Sequence, residues 1–222
     1  MFKGFERSAP AFFAELAIEM NKSWFEANKQ RYQAQWVAPM TELLGEVGAK
    51  LGKTYGPLKL GAPKLFRIYR DVRFAKDKTP YKTNIAGVLQ FAKELSGMPL
   101  YIDVGLEADY VGAGTYYFED QRLATWRKLV AAEPTGKPLV TLVTRLRKAG
   151  YTVGGHEDYK KVPKGYPPEH ARGEFLKMKG LTAGFPVMPK GLIHKPALVD
   201  WLVEHGKAVA PLVKWLATSI KK

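Results

Sequence analysis

Six cationic side chains, Arg67, Arg70, Arg73, Lys76, Lys78 and Lys82, stand close together in LFRIYRDVRFAKDKTPYKTN, residues 65–84, among the rings of Tyr69, Phe74 and Tyr81. Two such charges about 4 Å apart near a protein surface repel by roughly 4 kcal/mol at an effective dielectric of ~20. Crowding of this kind needs counter-charge or splaying. Asp71 and Asp77 are the internal ion partners that can each accept a bidentate arginine, which leaves a surplus of four cations between Arg67 and Thr83. The chemistry this composition suits is anion capture. A phosphate or carboxylate held by three charge-assisted hydrogen bonds gains on the order of 4–9 kcal/mol before ordering costs, so affinities are at best roughly millimolar to micromolar. The predicted ligand-binding set is Arg67, Tyr69, Arg70, Arg73, Lys76, Lys78, Tyr81 and Lys82, with the tyrosines stacking or hydrogen-bonding and the Gly112-Ala113-Gly114 turn nearby.

Other chemistries find less support. Gly52-Lys53-Thr54 ends like a phosphate-binding loop, but Gly48 stands one residue too near, and the context is a helix terminus. Gly112-Ala113-Gly114 begins a dinucleotide fingerprint, yet Tyr117 occupies the place of the third glycine, so a bulge or turn in a strand is expected there. His156, His170, His194 and His205 show no metal-ligand spacing, and no metal or other cofactor is expected. His170 beside Glu169 and His156 beside Glu157 have the types for acid–base work. Asp158-Tyr159-Lys160 is a single acid-x-Lys triplet, and no Gly-x-Ser-x-Gly elbow exists. Any catalysis would therefore rest on electrostatic stabilisation by Arg and Lys, with a Tyr, Lys or His carrying the proton.

The elements that must position the motif follow from punctuation and period. Ser8 and Pro10 predict a helix start before AFFAELAIEM, and Asn21 predicts a second, whose Trp24, Asn28, Tyr32 and Trp36 recur every four residues. That stripe reads as core, although Asn21, Lys22, Asn28 and Lys29 leave room for the helix to edge a pocket. Pro39 predicts a third helix, closed by Gly52. LFRIYR, IAGVLQFA, PLYIDVGL and DYVGAGTYYF read as strands, with the basic motif as a long connection between the first two. EDQRLATWRKLVAAEP and TGKPLVTLVTRLRKAG return to helical periodicity across a gap punctuated by Pro134, Gly136 and Pro138. Residues 151–167 and 180–195 read as loops around a short helix in PPEHARGEFLKMK, and helical runs fill Pro196 to Ile220, with Trp201, Leu202, Val209, Leu212, Val213 and Leu216 packed on the domain. The expected fold is α+β: a single domain over residues 1–222, with a largely antiparallel central sheet flanked by N-terminal and C-terminal helices.

Composition narrows the partners. The chain of 222 residues carries a net charge of +14, densest at 67–83, 134–166 and 206–222, which admits a nucleic-acid partner. Cysteine is absent, which excludes disulfides and thiolate sites, and no apolar stretch approaches about 20 residues. The expectation is a cytoplasmic protein without a membrane partner.

The motif FRIYRDVRFAKDKTPYKTN resembles the signature of the bacterial and fungal family known as domain of unknown function 2461. NKSWFEANKQRYQ with Pro39, VGAGTYYF followed by LATWRKLV, and KGY followed by LKMK agree with it. The resemblance implies one whole-chain domain and marks Arg67, Tyr69 to Asp71, Arg73, Phe74, Lys76 to Lys78 and Pro80 to Thr83 as motif positions, but it implies no catalytic assignment. Three readings stand: a pocket for a phosphorylated or carboxylated small molecule; a nucleic-acid module in which the basic regions form a stripe and rings stack bases; and a polar network that pins a long loop and binds nothing.

Overall fold

The structure is a computed structural model and describes residues 1–156 and 158–220. Helix α1, Ala9–Glu19, starts where Ser8 and Pro10 predict, but the Ser8 hydroxyl donates to Glu6 at 3.1 Å and Pro10 sets the first turn. Helix α2, Lys22–Tyr32, has its predicted cap: Asn21 Oδ1 accepts from the Trp24 backbone N–H at 2.9 Å. No new helix begins at Pro39. Helix α2 runs through a π-helical turn at Gln33–Val37 into α3, Ala38–Tyr55, as one continuous rod. Proline donates no hydrogen bond, and the Ala38 N–H bonds five residues back to the Gln33 carbonyl, so the ladder widens by one residue just before the gap.

Six strands form one antiparallel sheet among the described residues: β1 Lys64–Leu65, β2 Asn84–Leu89, β3 Met98–Gly105, β4 Tyr110–Thr115, β5 Thr152–Gly154 and β6 Leu181–Gly184, in the order β1-β2-β3-β4-β6-β5. Strands β5 and β6 lie inside segments expected to be loops. Each is three or four residues long and holds a glycine, too short for an alternating pattern to register. The remaining helices are α4 Asp120–Ala131, α5 Glu133–Lys148, the short α6 Gly173–Lys177 and α7 Leu198–Ser219. Ala132 alone separates α4 from α5; Arg172 holds that corner, donating to the Val130 and Ala131 carbonyls at 2.6 and 2.7 Å and pairing with Glu133 at 2.7 Å.

Alternation along the strands divides the sheet into two faces. Ile85, Leu89, Leu100, Ile102, Val104, Val111 and Ala183 are buried against α3 and α7, whose Leu43, Leu44, Leu51, Leu202 and Val213 are buried too. Of the C-terminal stripe, Leu202, Val209, Leu212, Val213 and Leu216 are buried and Trp201 is half-buried, as its spacing predicts. The opposite face carries Asn84, Tyr101, Asp103, Tyr110, Gly112 and Thr182 and, among the described residues, has no helical layer of its own. The same core continues into the N-terminal end, where Trp36 stacks on Phe13 with centroids 4.7 Å apart and donates its indole N–H to the Ala9 carbonyl at 3.2 Å. Sheet and flanking helices make a single α+β domain.

Candidate functional site

The motif leaves the sheet and returns to it. After β1, only Tyr69 and Tyr81 form a bridge, flanked by the Arg70 N–H on the Pro80 carbonyl at 2.9 Å and the Lys82 N–H on the Ile68 carbonyl at 2.8 Å. LFRIYR is therefore strand only at its first residue, and the rest forms the stem of a long excursion. Two side chains anchor that stem in the core, Ile68 and Tyr81, and the Tyr81 ring stacks on Phe25 with centroids 4.6 Å apart. Burial raises the Tyr81 hydroxyl above the usual phenol range.

Beyond the stem the charges divide. Arg70 donates to Asp77 and to the Thr79 hydroxyl, and the Thr79 N–H donates to Asp77 at 2.9 Å, closing the neck of the loop. Those bonds, the backbone one first, hold the Asp77 carboxyl down at about 2. Arg73 grips Asp71 with two bonds of 3.0 and 2.7 Å and lowers its carboxyl, while Lys78 donates to the Val72 carbonyl at 2.9 Å. Both predicted ion partners are thus engaged within the loop. Arg67, Lys76 and Lys82 make no side-chain hydrogen bond or ion pair among the described residues. At the tip Phe74 is 95% exposed.

These three cations sit in different places, and Arg67, though unbonded, lies near enough to Asp71 for its charge to help lower that carboxyl. Lys82 lines a recess of about 560 Å³ with Arg70, but Asp77, Asp103 and Glu107 share it, so carboxylates outnumber cations there. Arg67 and Tyr69 line a groove of about 350 Å³ against the π turn, facing Lys29, Tyr32 and Gln33, and no carboxylate borders it. Lys29 is one of the four residues, with Asn21, Lys22 and Asn28, that the sequence allows to edge a pocket without assigning a role. Among the described residues its only ion pair is a long, exposed one of 3.5 Å to Glu26. The Gln33 amide has no signature in sequence, because the π turn that presents it does not alter the helical period enough to read.

A third recess, of about 450 Å³, lies on the open sheet face, and of its residues the Gly112-Ala113-Gly114 run and His156 are the ones the sequence singles out. That run is the middle of β4, opposite a register shift in β3 between Met98 and Tyr101, so the expected bulge lies on the partner strand. Phe66, Tyr101 and Tyr110 form one wall, with successive centroids 6.0 Å apart, and Tyr116 stacked on His156 at 4.4 Å forms the other. Asp103 accepts from the Asn84 amide at 2.6 Å and from the Tyr101 hydroxyl at 3.1 Å. Burial, with the Asp103 charge, raises the Tyr101 hydroxyl far above its ordinary range.

The histidines do not converge. His156 bonds Thr182, His194 bonds the Phe5 carbonyl, His205 bonds the Tyr151 hydroxyl, and His170 accepts from the Arg172 N–H. The pairing of His156 with Glu157 lies outside the described residues. Among the described residues no three His, Asp or Glu side chains gather as a metal would require, and no helix is long and apolar enough to cross a membrane.

Fold and motif together define a class: an α+β domain on one antiparallel sheet whose edge strand leads into a cationic, tyrosine-bearing loop. The chain belongs to the family described as conserved hypothetical protein (DUF2461), whose profile matches residues 8–215. No curated protein and no solved structure matches it.

Proposed function

We propose that the protein binds a small phosphorylated or carboxylated molecule in the groove between the π turn and the segment Leu65 to Tyr69. One observation carries the proposal: the Arg67 guanidinium borders a groove without a carboxylate, opposite Lys29 and the Gln33 amide. An anion there takes charge-assisted bonds from two cations, worth about 3–6 kcal/mol before ordering costs, or roughly millimolar to tens of micromolar affinity. Tyr69, 42% exposed, supplies a ring and a hydroxyl at the rim. Arg70, Arg73 and Lys78, already bonded within the loop, are assigned to shaping it. The π turn adds weight, since such turns concentrate where proteins bind or react.

Thermal-shift titration with inorganic phosphate and a panel of phosphorylated and carboxylated metabolites tests the proposal. Stabilisation by a panel member should vanish in Arg67→Ala and Lys29→Ala and persist in Arg73→Ala. A hit indifferent to Arg67 would place the ligand elsewhere.

The exposed Phe74, flanked by Arg73, Lys76 and Lys78, favours a second reading, in which the loop tip stacks a base of single-stranded nucleic acid. Such binding falls steeply as salt rises through the physiological range.

A further inference from the structure

We propose that the recess on the open sheet face, bounded by Phe66, Tyr101, Tyr110, Tyr116 and Asp103, binds an alkylated ammonium cation. Charge selects the occupant. In a chain of net charge +14, this recess is lined by one carboxylate and by no lysine or arginine. Its walls are aromatic, and ring faces carry the negative side of the quadrupole, so rings and carboxylate attract the same sign. Phe66, Tyr110 and Tyr116 are 41%, 44% and 57% exposed, which leaves ring surface within a ligand's reach. The carboxylate is fixed in place: Asn84 and Tyr101 each occupy one of its oxygens, and each oxygen retains a lone pair for a guest.

The lining also selects the kind of cation. A bare ammonium is compact and strongly hydrated, and entering an apolar slot strips that water. Alkyl groups on the nitrogen weaken hydration and add surface that Met98 and the rings can cover. A volume of about 450 Å³ has room for such a headgroup.

The rival explanation is that these rings only shield bare sheet. It accounts for Tyr110, whose ring lies over Gly112, where a Cβ would stand 2.7 Å from the tyrosine oxygen. It does not account for the opposite wall, Tyr116 stacked on a His156 that is itself bonded to Thr182, nor for the Asp103 carboxylate anchored in the lining by Asn84 and Tyr101. Phe66 borders both this recess and the anion groove, but they share no other lining residue, and the inference does not rest on that groove being filled.

Calorimetric titration of the full chain with tetramethylammonium and choline, beside the neutral isostere 3,3-dimethylbutanol, tests the inference. Both cations should bind saturably and the isostere about tenfold more weakly or not at all. Tyr116→Leu, at a half-exposed position that spares the core, and Asp103→Asn should each weaken choline by about tenfold, with thermal melts verifying the fold. Tighter binding of a trimethyllysine peptide than of choline supports the site with a protein tail as the cation's source; the reverse supports it with a free metabolite. Equal affinity for the neutral isostere, or no saturable binding of either cation, overturns it.

Discussion

Tyr69 and Tyr81 face each other as an isolated β-bridge at the base of the cationic loop, their ring centroids 5.4 Å apart, and both approach the Phe25 ring of α2. The loop is thereby tied to the helix that carries Lys29 and Gln33. Tyr81 is 3% exposed and is the stronger tie. Tyr81→Ala should cost about 3–5 kcal/mol of stability, as large aromatic truncations in cores do, whereas Tyr81→Phe keeps the stack and should cost far less. Chemical denaturation of the two variants measures the difference. Equal, small losses would mean that the stem does not depend on this stack.

Asp77 closes the neck of the loop, and its depressed carboxyl fixes the sign of a pH effect. The folded group sits at about 2, well below the ordinary range of an aspartate. Its contribution to loop order is therefore complete above about pH 4 and is lost as pH falls through about 2. Asp77→Asn should remove that dependence while leaving the global melt nearly unchanged at neutral pH, because the group is exposed. Amide exchange at Arg70 and Thr79 is the direct readout, and unaltered protection in the variant would refute a closing role.

His205 titrates in the opposite chemical sense with the same net direction. Burial between Tyr151, Phe185 and Trp201 lowers its pKa below 6.5, so the fold prefers the neutral ring. The unfolded chain takes up a proton first as pH falls, and stability should decline from about pH 6.5 downward. Melting curves between pH 8 and 5 check this; His205→Gln should flatten the slope, and an unchanged slope would assign it to other groups.

Gly114 lines the aromatic recess and is held in a backbone conformation that a side chain would strain. Its φ is +121°, and an added Cβ would collide with the Leu181 carbonyl on the paired strand. At a compatible position a glycine-to-alanine change stabilises by about 0.4–1 kcal/mol, whereas Gly114→Ala should destabilise, by strain of about 1–3 kcal/mol plus the clash. Soluble yield and melting temperature report it, and a variant as stable as the parent would mean that β4 and β6 can part freely.

How much of this was legible in the sequence follows from what each element writes into its own residues. Asn21 and the Trp24-to-Trp36 stripe announce α2 through a cap and a period, and Ile102 and Val104 announce β3 by alternation. Strands β5 and β6 write almost nothing, since three or four residues around a glycine are ordered by their neighbours. The motif showed its charge but not its division. Which of Arg67, Arg70 and Arg73 would keep a free head depends on how Asp71 and Asp77 fold back, a matter of loop geometry that composition does not encode. The aromatic recess was hidden differently: Tyr101 and Asp103 on β3 meet Tyr110 and Thr182 only once three separate strands are aligned.

Phe74 decides between the two readings of the loop. With 95% of its surface exposed and its nearest ring interaction a cation–π contact of 6.0 Å with Arg73, it contributes little to the core. Phe74→Ala should leave the melting temperature within about half a kcal/mol equivalent of the parent. If the loop stacks a base, the same change should weaken single-stranded oligonucleotide binding by about 1–3 kcal/mol, and added salt should weaken it further. If the loop instead only borders the Arg67 groove, oligonucleotides bind weakly, Phe74→Ala changes nothing, and Arg67→Ala alone removes the small anion. Fluorescence anisotropy with a labelled oligonucleotide at two salt concentrations, run beside the metabolite titration on both variants, separates these cases because each variant fails in a different column.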